Sequence, residues 1–240
     1  AEVKRRTPRN SFENCLENAA QQFIVTRGKH VEIIAGFPWF GRVARDAFIA
    51  LPDLAMVKKD FKTVKAVIDT LISEMNGPLF PNYGMGNKVE YNAADASLWL
   101  FWTLQQYKLF TGDQTIWKHY GTVLKNILYS FREGTSYNIH MLGNGLLYAG
   151  IPGVPVTWMD AIVEGIPVTP RTGLAVEVNA LWYNAIRFAL ELAESSDDKT
   201  FITDWQPIAD SIPVAFVEPF WIRNGKYLAD YVDGDYVNKS

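Results

Sequence analysis

The chain has 240 residues, of which 48% are hydrophobic and 20% charged, with a formal net charge of −3. That balance excludes a disordered solvating segment and gives no electrostatic basis for binding nucleic acid or an anionic membrane surface. The single cysteine, Cys15, excludes an internal disulfide framework and fits a reducing, cytoplasmic location; no run of about 18 apolar residues is present to span a membrane.

Hydrophobic spacing predicts seven helices. Residues 11–25 place Phe12, Cys15, Leu16, Ala19, Ala20 and Phe23 on one stripe, which makes Cys15 a small core residue. Residues 42–57 carry an all-round apolar run, Ala47 to Leu51, followed by Pro52, which should kink or restart the helix. Residues 60–75 return to a single stripe. Residues 94–110 carry Leu98-Trp99-Leu100-Phe101-Trp102, residues 113–132 are one-sided with Asp113 as N-cap, and residues 177–194 carry Ala180-Leu181-Trp182-Tyr183. Residues 200–212 close the series with one wet face despite Pro207. A helix apolar all round is buried all round. The strict alternation of one-sided and all-round helices therefore predicts two concentric layers, an all-α toroid. Only three inner helices are present, so the expectation is an incomplete half-ring in one partial domain over residues 1–240. No sheet is expected beyond a small hairpin around Tyr137–Tyr148, and the stretch at Asp233-Gly234-Asp235 reads as a polar tail.

The links entering the inner helices, residues 26–41, 76–93 and 133–176, are long and rich in Gly, Pro and aromatics. They should meet at the inner-helix N-termini. Long loops in compact domains commonly carry function, and the 14% aromatic content suits either a large core or a sugar-binding cleft. In the first loop, Trp39 is a stacking platform, while Arg45 and Asp46 either grip sugar hydroxyls or form a packed ion pair. In the second, Asp95 is an N-cap or a hydroxyl ligand, and Gly84/Gly86 are only a weak phosphate signal. The third holds Trp158-Met159-Asp160, Arg171 and Glu177. An indole beside Asp160 in a stretch low in charge would favour a protonated, general-acid carboxyl; Glu177 at a helix start has a sufficient structural reason in the helix dipole. Three scattered histidines and one cysteine give no metal-binding spacing, so no metal and no cofactor are expected. Lys4–Arg6 and Arg9 read as a solvated basic arm.

Five stretches in order resemble the amylo-α-1,6-glucosidase domain of glycogen debranching enzymes: Gly36-Phe37-Pro38-Trp39-Phe40-Gly41-Arg42 with Arg45-Asp46; Tyr91-Asn92-Ala93-Ala94-Asp95-Ala96-Ser97-Leu98-Trp99; Thr157-Trp158-Met159-Asp160-Ala161; Thr169-Pro170-Arg171; and Glu177-Val178-Asn179-Ala180-Leu181-Trp182-Tyr183. The resemblance implies an (α/α)6 barrel and inverting hydrolysis of the α-1,6-linked glucose at a branch stub of glycogen or a related α-glucan. It implies Asp160 as the general acid, and Trp39, Arg45, Asp46, Asp95, Trp158, Arg171 and Glu177 as substrate-binding. It places the general base beyond this chain, so the isolated chain is expected to be inactive. Exposed inner-helix flanks imply a homo-oligomer. The competing readings are a non-catalytic α-glucan-binding module or pseudoenzyme, and a toroid isomerase or lyase, which would bring more histidines to its cleft.

Overall fold

The computed structural model describes residues 8–36, 39–82, 89–233 and 236–237. The basic arm at Lys4–Arg6, Phe37-Pro38 and the Gly84/Gly86 pair lie outside the described residues. Among the described residues seven α-helices form, as the spacing predicts: α1 (Phe12–Gln21), α2 (Ala44–Leu51), α3 (Phe61–Ile72), α4 (Ala94–Thr111), α5 (Ile116–Glu133), α6 (Val176–Ser195) and α7 (Lys199–Phe220). The molecule is mostly α-helical.

The all-round helices form a row in which α4 packs between α2 and α6, while α7 packs along α6. Large side chains from this row, Phe48, Phe101 and Trp182, are fully buried, and so is Trp205 of α7. Trp205 stacks on Phe201 and meets Trp182 edge-on. At roughly 1.5–3 kcal/mol for each large side chain removed from water, this aromatic seam is a principal attraction holding α6 and α7 together.

Pro52 does not stop the second helix. Residues Pro52–Met56 continue α2 as a π-helical turn, closed by bonds from Val57 N to Pro52 O (3.0 Å) and Asp60 N to Ala55 O (3.0 Å). Similarly, α7 runs on to Phe220 through Pro207, Pro213 and Pro219. Packing against α6 overrides a strongly unfavourable propensity.

Other expectations need correction. The apolar stripe of α1 faces solvent: Phe12 is 73% exposed and Cys15 is exposed rather than core. Only Asn18 of α1 is buried. Asp113 does not cap α5; Thr115 occupies that position, and Asp113 Oδ1 instead accepts from Thr115 N at 2.7 Å. Nor is strand limited to one hairpin. Strands β1 (Ile24–Arg27) and β2 (His30–Ile33) pair antiparallel inside the first long link, turning at Gly28 with φ +63°. The expected hairpin is there as β3 (His140–Met141) and β4 (Leu147–Tyr148), and β5 (Ile162–Val163) pairs with β6 (Ile166–Pro167). Strand β7 (Leu174–Ala175) leads into α6. Strands β8 (Trp221–Ile222) and β9 (Tyr227–Leu228) form another hairpin. Of the supposed tail, Gly234 and Asp235 lie outside the described residues, while Asp233 ends strand β10 (Tyr231–Asp233), which pairs with both β7 and β11 (Tyr236–Val237). At this junction Gly173 has φ +128°, and a Cβ there would run into the Val232 carbonyl.

Candidate functional site

Helix N-termini leave their first N–H groups without partners inside the helix. The residues preceding α2, α4 and α6 are Val43, Ala93 and Ala175, and none makes a side-chain cap bond. Asp95 is therefore not the N-cap of α4; it is the second helical residue. Backbone carbonyls of distant segments do the capping: Ala44 N donates to Pro81 O (3.0 Å), Ala94 N to Val156 O (2.9 Å) and Val176 N to Asp230 O (3.0 Å). These bonds draw segments distant in sequence onto the N-termini of α2, α4 and α6.

A cleft of about 700 Å³ opens where they meet, lined among others by Trp39, Arg45, Asp46, Asn82, Trp158 and Asp160. Trp39 rides a tight turn closed by Phe40 N to Gly36 O (2.7 Å) and is 78% exposed. Arg42 roots that turn, reaching Glu74 at 2.6 Å and Glu32 at 3.2 Å. Trp158 is also exposed. Two solvent-facing indoles on one polar cleft are costly unless something stacks on them.

Behind them, Arg45 grips Asp95 in two parallel bonds, Nε to Oδ2 at 2.7 Å and Nη2 to Oδ1 at 2.9 Å. Both groups are buried. Burial works against the charge on Arg45, but Asp95, then Asp160 and Asp46, more than restore it and its pKa is raised. Burial pushes the Asp95 carboxyl up, opposed by Arg45, and the nearby charge of Glu177 adds to the rise. A fork-on-carboxylate pair at these distances is ionic. Asp95 thus faces the guanidinium, not the open cleft. Arg45 Nη1 also approaches Asp160 Oδ2 at 3.5 Å. The Asp160 carboxyl meets a guanidinium and the Asn82 amide, where the sequence led us to expect surroundings low in charge. Asp46 lies at the exposed cleft wall; its partial enclosure raises its carboxyl, Arg45 opposes this, and Asp160 and Asp95 add to it.

Arg171 and Glu177 form an adjoining cluster. Arg171 is buried and holds Glu177 through Nη1–Oε1 (2.5 Å) and Nη2–Oε2 (2.7 Å), Asp230 through Nε–Oδ2 and Nη2–Oδ1 (both 2.8 Å), and Thr157 Oγ1 at 3.1 Å. Burial disfavours its charge, but the bonds to Glu177 and Asp230 outweigh that and raise its pKa. Sequence reasoning missed Asp230 and gave no role to Asn82 or Asn92. No signal for Asp230 existed short of the β7–β10 pairing. Among the described residues, no group of three or more His, Cys, Asp or Glu is placed to hold a metal, and no helix is long and apolar enough to cross a membrane.

A mostly helical scaffold with a tryptophan-flanked cleft that carries charged groups at its helix N-termini defines the class. The chain matches the family model described as amylo-alpha-1,6-glucosidase over residues 18–239, and it belongs to that family. It is 27% identical to the glycogen debranching enzyme of Saccharomyces cerevisiae, in an alignment covering 62% of this chain and 13% of that protein; the chain thus corresponds to a small part of that relative's length. Among solved structures, a GH78 family rhamnosidase of Bacillus sp. GL1 superposes with a TM-score of 0.52 at 13% identity, over 82% of this chain and 19% of that one. That likeness is one of fold.

Proposed function

We propose that this chain supplies the acid half of a glycoside-hydrolase site that removes α-1,6-linked glucose from branch stubs of an α-glucan. The observation that carries the proposal is the meeting of Trp39, Trp158, Arg45, Asp46 and Asp160 at one cleft. In this reading the indoles stack on pyranose faces, Asp46 and Arg45 take hydroxyls, and Asp160 protonates the departing glycosidic oxygen. Inversion requires a second carboxylate about 6.5–9.5 Å away to activate water. Asp46 is kept for the sugar and Glu177 is engaged with Arg171, so the base is expected from outside the assigned residues and the isolated chain is expected to be inactive. The row of α2, α4 and α6, with its loops at one end, supports an arc of an (α/α)6 toroid.

Isothermal titration with a singly branched maltooligosaccharide tests the site. The chain should bind it, Trp39→Ala should weaken binding about five- to tenfold, and no glucose should be released. Absence of binding would sink the assignment of the cleft. Glucose release at an ordinary enzymatic rate, lost in Asp160→Asn, would put the base within this chain.

A further inference from the structure

A hydrogen bond fixes a carboxyl group only when its donor is itself fixed. Asp160 lies outside regular secondary structure and its side chain is partly covered, so its hydrogen bonds bear on its orientation. All its side-chain hydrogen bonds among the described residues fall on Oδ2: Asn82 Nδ2 at 3.3 Å and Arg45 Nη1 at 3.5 Å. Oδ1 accepts none of these bonds, and Asp160 lines the cleft. Arg45 is already committed to Asp95 by its two shorter bonds, which leaves Asn82 as the shorter contact to Asp160.

Asn82 is only 1% exposed and is held on every side. Its backbone N–H donates to Glu90 O (2.8 Å), its Oδ1 lies 3.5 Å from Arg45 Nη1, and its Nδ2 also donates to Asn92 Oδ1 (3.1 Å). Asn92, 3% exposed, donates in turn to Pro155 O at 2.9 Å. Because the Pro155 carbonyl can only accept, the Asn92 amide nitrogen must point at it; Asn92 Oδ1 then faces Asn82, which must present nitrogen to it and to Asp160. Pro155 and Asp160 belong to the same loop, so the chain of amides closes a ring across two loops. Burying two primary amides is costly unless every bond is made, and a purely apolar filling of the space would hold the loops without that cost.

We propose that Asn82, oriented by Asn92, is the positioning residue of Asp160: it pins Oδ2 and leaves Oδ1 as the oxygen that carries the working proton into the cleft. The inference rests on the reading of Asp160 as proton donor, but its test does not need turnover. In the intact 240-residue chain, NMR three-bond couplings across the Asp160 Cα–Cβ bond should report one rotamer, and the Nδ2 protons of Asn82 and Asn92 should exchange slowly with solvent. In Asn82→Ala the Asp160 couplings should collapse to rotamer-averaged values while the fold persists. Asn82→Leu, which keeps the branched outline and needs no partner, should do the same where the fold persists, and Asn92→Ala should have a smaller effect in the same direction. Loss of stability alone would not move these couplings. A single Asp160 rotamer in folded Asn82→Ala or Asn82→Leu overturns the proposal, and so does rapid exchange of the two amides in the unaltered chain. Those failures would leave the hydrolase reading standing; failure to bind branched oligoglucan would sink that reading without touching these couplings.

Discussion

A guanidinium shut away from water must keep an anion against it. Arg45 meets that demand with Asp95 and leaves its remaining nitrogen for Asn82 and Asp160. Removing Asp95 would strand the charge. Asp95→Ala should therefore lower stability by about 3 kcal/mol, seen as a reduced urea midpoint with an unchanged denaturant slope. A shift below a few tenths of a kcal/mol would mean the pair is not the buried contact described. At this scale the sequence was only partly legible. Arg45, Asp46, Trp39 and Asp160 stand out as charged or aromatic residues in Gly- and Pro-rich links. Asn82 and Asn92 do not, because amides are common in loops and their meaning lies in partners that are distant in sequence.

Most helix starts among the described residues follow two regimes. Helices α1, α3 and α7 are capped by side chains, those of Ser11, Asp60 and Asp198, whereas α5 has Thr115 at its N-cap with no side-chain cap bond. Helices α2, α4 and α6 borrow carbonyls from other segments, so alanine and valine suffice at their N-caps. That explains why inner starts could be placed by hydrophobic run but not by a capping signal, and why Asp95 was open to misreading as a cap. It also explains why β1, β2 and the sheet around β10 went unseen: strands of two to four residues give too short an alternation to stand out. Asp198 offers a test of the side-chain regime. Its Oδ1 caps Phe201 N at 3.2 Å, and its Oδ2 takes Lys125 and, at 3.2 Å, Trp117 Nε1. The Lys125 bond, with these others, holds its carboxyl below its ordinary value of 3.8 against the opposing effect of burial. A depressed folded value contributes stability that is present above pH 3.8 and lost as pH falls through the lower folded value. Asp198→Asn keeps a cap but not the charge, so the stability gap between it and the unaltered chain should narrow as pH drops below that point; Asp198→Ala should lose about 1 kcal/mol at neutral pH. A gap that persists in acid would exclude the charge as its source.

For the whole molecule, the alternation of one-sided and all-round helices foretold a mostly helical chain, and α2, α4 and α6 pack as successive neighbours. It did not foretell that α1 would turn its apolar stripe outward. Beyond that stripe, α2 leaves Ile49 exposed, α4 leaves Leu109 and Phe110 exposed, and Trp99 and Trp102 are only partly covered. Scattered apolar residues are ordinary, but helices from the inner row are built to be enclosed. The isolated chain should therefore associate, and light scattering should give a mass above the 27.1 kDa of one chain. Trp102→Glu should shift it toward that mass. A monomer at high micromolar concentration would mean these faces tolerate water alone.

Arg171 ties the last strands to the head of α6. Two of its nitrogens reach Asp230, two reach Glu177, and the Asp230 carbonyl also receives Val176 N. A protease nick between Phe220 and Asp230 would fall some way from the cleft in sequence, yet it would loosen the counterweight that steadies Glu177 and unseat the first turn of its helix. The segment after α7 thus acts on the start of α6 as a clasp, through Asp230.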